Sequence, residues 1–259
     1  MGRNEQQRTG GIAARGPLAP WFNAVSLLGS AVNAGLALRH SLRARGARNT
    51  AIFAALGIGL PTLGEWYAVN IDRTLRHHSG PQLRGVPLNA SVAWWTIASA
   101  TLAVTEEIVA RGGASEAVRR WATPVGSALV ATSLDLVLDP YGLANGFWEW
   151  RDDGAYAREI TGANGRSGIP VGNYLSWLVL VGGVTALYGA LMRRTPPRAA
   201  APATTRDAAG ILLSYYFPAA LWALKERRPR YLLNAALFPA AIALALWPRR
   251  AQPENQSRG

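Results

Sequence analysis

The chain has 259 residues, no cysteine, and 27 basic against 15 acidic residues, for a formal net charge of +12. The lack of cysteine excludes a disulfide framework, a thiolate nucleophile and a cysteine-ligated metal. The placement of the basic residues argues against a nucleic-acid partner: they lie in connectors and tails beside long apolar runs, as they do around membrane spans, and not on one face of a soluble domain.

A bilayer core about 30 Å thick is crossed by about 20 mostly apolar residues. Seven stretches fit that length, and helices are expected over 18–38, 50–71, 87–109, 119–139, 170–192, 208–225 and 230–247. The expected fold class is therefore all-α, a polytopic integral membrane bundle of about seven transmembrane helices. Residues 1–17 read as a polar basic N-terminal tail, 18–247 as one transmembrane domain and 248–259 as a polar C-terminal tail.

In chain order, the first span is longer than a signal-peptide apolar region and has no obvious A-x-A site at its end, so it reads as retained. "RHSLRARGARN" follows as a basic connector. In the second span Pro61 lies among Gly57, Gly59 and Gly64, which predicts a kink or break beside Glu65. The third span closes on "TEEIVARGG", so Glu106 and Glu107 read as an exposed, interfacial end. The fourth ends at Asp139-Pro140, and a long connector to Gly168 then holds Trp148, Glu149 and Trp150. "RRTPPRAAAPATTRD" reads as a flexible linker, and Trp21 and Trp247 as interface-belt residues. Basic residues divide almost evenly between the two sides, so they set no orientation. The expected location is the cell (plasma) membrane, as a multi-pass protein.

A carboxylate inside a span costs several kcal/mol and marks a functional site by default. Three stand out. Asp135 and Asp139 are four residues apart and share one helix face, about 6 Å apart along the axis, with Ala128 and Thr132 on the same face. Two such carboxylates in a dry site do not both ionise readily, which leaves a neutral acid able to give up a proton. The plainer reading has Asp139 end the helix while Asp135 pairs with an arginine. Glu65 is the third, and its plainer reading is a helix-end residue reaching for the interface.

"GVPLNASVAW" (Gly85–Trp94) and "GIPVGNYLSW" (Gly168–Trp177) echo each other. Each opens a helix with a proline at a tolerated position, and each follows a span bearing an acid. Gly85, Pro87, Gly168 and Pro170 read as structural. A duplicated two-helix unit, spans 2–3 and 4–5, is expected to face itself around a shared cavity; the alternative is a coincidence of helix-start patterns. Trp94, Tyr141, Trp148, Trp150, Asn173 and Trp177 are the candidates for substrate contact.

With only His40, His77 and His78, the chain is short of ligands for a membrane di-iron oxygenase. It carries no G-x-G-x-x-G or Walker A loop, and Lys225 is its only lysine. Redox-neutral acid–base chemistry on a lipophilic substrate, with no metal and no cofactor, is the expectation.

The ordered motifs L-D-P…G-x-W-x-W (Leu138–Trp150) and Gly168–Trp177, with Glu65 and Gly85–Trp94 before them, resemble the carotenoid biosynthesis membrane-protein family that includes the CruF-type carotenoid hydratases. The resemblance runs from about Glu65 to Trp177. It departs from the family pattern in "NIDRTLRHHSGPQL", which is polar and basic, and in the polar stretch between Asp153 and Gly168, both positioned to shape substrate access. The resemblance implies addition of water across a terminal double bond of a linear carotenoid held in the bilayer. It assigns the acid to Asp135 or Asp139, with Glu65 as partner, and makes other carotenoid-pathway membrane enzymes possible partners. Three other activities stay open at this point: an intramembrane prenyltransferase, for which no second Asp-rich motif is found, a carotenoid cyclase, and a non-catalytic carrier or transporter.

Overall fold

The computed structural model describes residues 12–14, 20–192 and 202–248. The N-terminal tail to residue 11, most of the predicted 193–207 linker, the last eleven residues and the side chain of Trp21 lie outside the described residues. The described residues form seven helices and seven short strands.

The first helix, α1 (Pro20–Asn70), has 51 residues. Drawn straight it would be about 75 Å long. Yet Asn23 accepts a hydrogen bond from the backbone N–H of Gly80 at 3.0 Å, and Val25 and Glu65 line one cavity. The chain therefore doubles back, and it does so at Gly46, whose φ of 78° and ψ of 168° are the non-helical values inside α1. Glycine takes that conformation without a Cβ penalty. The predicted first two spans are thus a hairpin, and the predicted connector "RHSLRARGARN" is helical on both sides of one residue. Ala, Leu and Arg are good helix formers, so their charge did not end the helix. Pro61 does not break it: the backbone stays helical there, and Gly57 lets Trp95 close in, 3.2 Å from where a Cβ would stand.

Strands β2 (Leu75–His77), β3 (Gln82–Leu83) and β4 (Val86–Pro87) lead into α2 (Leu88–Arg111). Helix α3 (Glu116–Ala144) is followed by β5 (Trp148–Trp150), β6 (Tyr156–Thr161) and β7 (Ser167–Ile169), then by α4 (Val171–Leu191). Strand β1 (Ile12–Ala13) runs parallel to β6. After α5 (Pro202–Lys225), the predicted last span is two pieces, α6 (Arg230–Asn234) and α7 (Leu237–Leu246).

Helix α3 runs five residues beyond its predicted end. Pro140 cannot donate to the carbonyl of Leu136; the hydroxyl of Tyr156 donates to it instead, at 2.8 Å, so the helix continues. Among the described residues, four helices are long and apolar enough to cross a membrane: Asn23–Asn70, which holds both arms of the hairpin, Glu116–Ala144, Val171–Leu191 and Thr205–Lys225. They carry outward apolar side chains such as Leu28, Leu63, Val125, Val179 and Leu221. Helix α2 is not among the four: Trp, Ser, Thr and Glu residues interrupt its apolar run, and it lies inside the bundle, with Trp94 to Thr105 all buried. It packs through small polar residues, as interior membrane helices do: Ser99 meets Ser41 at 3.0 Å and Thr96 meets Tyr215 at 2.8 Å.

The internal echo has a matching geometry. Gly85 and Gly168 have φ of 84° and 80°. Pro87 and Pro170, which precede α2 and α4, have φ/ψ of −67°/135° and −61°/137°. Asn70 and Asn145 each turn their side-chain amide back to the carbonyl four residues earlier, at 3.0 and 2.8 Å. The two units are joined where β2 pairs antiparallel with β5, Leu75 opposite Trp150 and His77 opposite Trp148.

The acids at the end of α2 are not the exposed pair expected. Glu107 is buried and bonded to Arg111 at 2.8 Å. Glu106 takes both terminal nitrogens of Arg45, whose side chain is 1% exposed beside the Gly46 turn. The Arg45 guanidinium also lies 5.7 Å from the ring of Phe53 and 5.4 Å from that of Tyr188.

Candidate active site

The paired β2 and β5 strands alternate sides, as strand geometry requires. Leu75, His77, Trp148 and Trp150 face a cavity of about 510 Å³. Arg76 and Glu149 meet on the other side at 3.7 Å, and His78 reaches Glu149 there at 3.3 Å. The cavity is also lined by Glu65 from α1, by Asp135, Asp139 and Tyr141 from α3, by Trp94 from α2, and by Asn173 and Trp177 from α4. All nine residues expected from sequence to carry chemistry or touch substrate thus converge on one chamber. The four structural candidates, Gly85, Pro87, Gly168 and Pro170, shape the helix starts that present Trp94, Asn173 and Trp177.

The carboxylates are held by hydrogen bonds of specific geometry. The amide nitrogen of Asn173 donates to Asp135 Oδ2 at 2.9 Å and to Asp139 Oδ2 at 2.8 Å. The Trp148 indole donates to Asp139 Oδ1 at 2.6 Å. Asp139 therefore receives two of these hydrogen bonds and Asp135 one. Opposite, the Trp94 indole donates to Glu65 Oε1 at 2.9 Å, and His77 Nε2 meets Glu65 Oε2 at 2.5 Å. Each unit thus contributes a carboxylate near the end of a helix, held by an indole N–H. The plainer reading of Asp135, a pairing with an arginine, is not seen among the described residues, where Asn173 donates to it.

The tryptophans do more than flank the acids. Trp94 and Trp177, equivalent in the two units, stack with centroids 3.9 Å apart. Trp148 lies flat against α3 because residue 142 is glycine: a Cβ there would stand 2.1 Å from the indole ring. Trp247, by contrast, is 68% exposed, as an interface-belt residue would be.

Sequence reasoning missed His77, Gly142, and the wall supplied by Val25, Ser30, Asn33 and Tyr215. His77 had a readable signal, the alternation Leu75-Arg76-His77, but its strand partner lies 71 residues on in sequence. Among the described residues, no group of three His, Cys, Asp or Glu side chains is placed to hold a metal ion.

The fold and the site define a class, a membrane-embedded helical bundle that holds buried acids in an apolar, indole-walled chamber. The chain belongs to the carotenoid biosynthesis protein family, whose model matches residues 22–247. That membership gives it a biosynthetic role and a carotenoid-related substrate. No curated protein and no solved structure matches the chain significantly.

Proposed function

We propose that this protein is a hydratase that adds water across the terminal isopropylidene double bond of an acyclic carotenoid. The observation that carries the reading is the Asp135–Asn173–Asp139 bridge in a mostly apolar chamber walled in part by the indoles of Trp94, Trp148, Trp150 and Trp177. Hydration of an unactivated alkene needs a strong proton donor, a dry site and one water.

The shared proton is assigned to Asp135, since Asp139 has the additional hydrogen bond from Trp148 that favours its anion. Asp135 gives the proton to the CH carbon of the double bond, and the positive charge forms on the dimethyl carbon. The faces of Trp94, Trp148 and Trp177 then stabilise that cation, helped by the carboxylate of Asp139. Water adds to the cation and loses a proton, giving a tertiary alcohol. A cavity of about 510 Å³ suits an end group with part of its polyene, the remainder lying in the bilayer. The protein is read as a multi-pass plasma-membrane protein that takes its substrate from the lipid and works beside other membrane enzymes of the same pathway.

The test is expression in cells that accumulate lycopene, an acyclic carotenoid with two isopropylidene ends. Products heavier by one or two waters are expected from wild type, and Asp135→Asn should reduce conversion at least about 100-fold, the usual worth of a positioned acid. A product of unchanged mass but altered chromatography would indicate a cyclase instead.

A further inference from the structure

The proposed reaction needs a base for the attacking water as well as an acid for the alkene. Glu65 does not present itself as that base: one oxygen is taken by Trp94 and the other by His77. An ionised carboxylate only accepts, so Nε2 donates in the Glu65–His77 contact, and in the neutral imidazole Nδ1 keeps a lone pair. That Nδ1 is buried and has no hydrogen-bond partner among the described residues. An unpartnered buried acceptor is costly and calls for an explanation. His77 lines the cavity, fixed by the β2–β5 pairing opposite Trp148, with its ring edge-on to that indole at 6.3 Å. A carboxylate that orients an imidazole whose other nitrogen is free is a general-base arrangement.

We infer that His77 holds the attacking water through Nδ1 and takes its proton, with Glu65 fixing the tautomer. The inference rests on the hydratase reading. The steps balance. The O–H bond of Asp135 breaks as its proton forms the new C–H bond with the alkene π electrons. A lone pair of the water forms the C–O bond to the cation. One O–H bond of that water then breaks, its electron pair staying on oxygen, and the proton moves to His77 Nδ1. The imidazolium is stabilised by Glu65, and its proton returns to Asp135 across the cavity. Each turnover consumes one water and no net proton.

The assignment separates alkene protonation from water capture, and D2O distinguishes them. Wild type, incubated with lycopene in D2O, gives alcohol carrying one deuterium on carbon per hydrated end. In His77→Gln the cation still forms but collapses back by giving a proton to Asp135. Recovered lycopene should then gain deuterium while alcohol falls at least about 100-fold. Glu65→Gln should follow the same pattern, and it carries the test if His77→Gln does not accumulate. Asp135→Asn should abolish both readouts, and His78→Gln, altered on the opposite side of the strand, should change neither. Hydration by His77→Gln at the wild-type rate would overturn the inference. So would loss of both deuterium uptake and hydration in a His77→Gln protein that melts like wild type. Absence of alcohol from wild type would instead overturn the functional reading beneath it.

Discussion

Asn173 is the residue on which the aspartate pair depends. Its one amide group donates to both carboxylates. Hydrogen bonds to charged groups are worth about 1.5–3 kcal/mol each. Asn173→Ala should therefore lower lycopene conversion by roughly 10- to 100-fold while leaving membrane insertion intact, as measured by product yield per protein on a blot. Unchanged conversion would show that the pair works without its bridge. Asp135, Asp139 and Glu65 were legible from sequence because a carboxylate in an apolar run has few reasons to be there. Asn173 was singled out only through the chemistry that the resemblance implies, since nothing in "GIPVGNYLSW" alone names its partners. Glu106 and Glu107 were misread for a related reason: the partner of Glu106, Arg45, lies 61 residues away, and its burial beside Gly46 has no local signature.

At the scale of elements, α3 and β5 are matched through one missing methyl group. By helix propensity alone, Gly142→Ala would stabilise α3 by up to about 1 kcal/mol. Here the new Cβ would meet Trp148 at 2.1 Å. The variant should displace the indole, break its bond to Asp139 and lower conversion to the level of Trp148→Phe; activity equal to wild type would separate Trp148 from the chemistry. A second joint ties β6 to α6. Glu159 is bonded to Arg230 and Tyr231. Burial works to raise its carboxyl, but the hydrogen bonds from Tyr231 and Arg230 outweigh it, so its pKa lies below the ordinary glutamate value. A depressed carboxylate contributes stability in full above its unfolded pKa and loses it as pH falls through the folded value. Thermal melting of detergent-solubilised protein should therefore fall more steeply with acidification in wild type than in Glu159→Gln, below the usual glutamate range. The strands themselves were not legible: "NIDRTLRHHSGPQL" looks like a polar loop until β2 finds β5. Helix positions came through well because their apolar runs are long. Their ends did not, because a rescue such as Tyr156 bonding to Leu136 depends on distant chain.

For the whole molecule, the two units bring their acids into one chamber and stack Trp94 on Trp177. The opposite end of the bundle is tied by Arg45, Glu106, Phe53 and Tyr188 around the Gly46 turn. Removing one partner of a buried ion pair costs about 3–5 kcal/mol, and Glu106→Ala leaves a guanidinium with a nearly fully buried side chain unpaired. That variant should lose thermal stability far more than Arg120→Ala, which breaks a surface pair; equal losses would remove this cluster from any role in holding the bundle. The matching helix starts were visible in sequence because proline and glycine report local backbone needs. The two arms of α1 were visible as successive spans, but the helical path between them was not, because one glycine does the work usually given to a loop. The central claim is that these buried acids deliver a proton to an alkene and that water then adds to it. Its most direct test is the mass of the pigment recovered from lycopene-accumulating cells that express wild type or Asp135→Asn. Wild type should yield lycopene plus one or two waters, and Asp135→Asn at least about 100-fold less of that product. Equal hydration by the two proteins would contradict it.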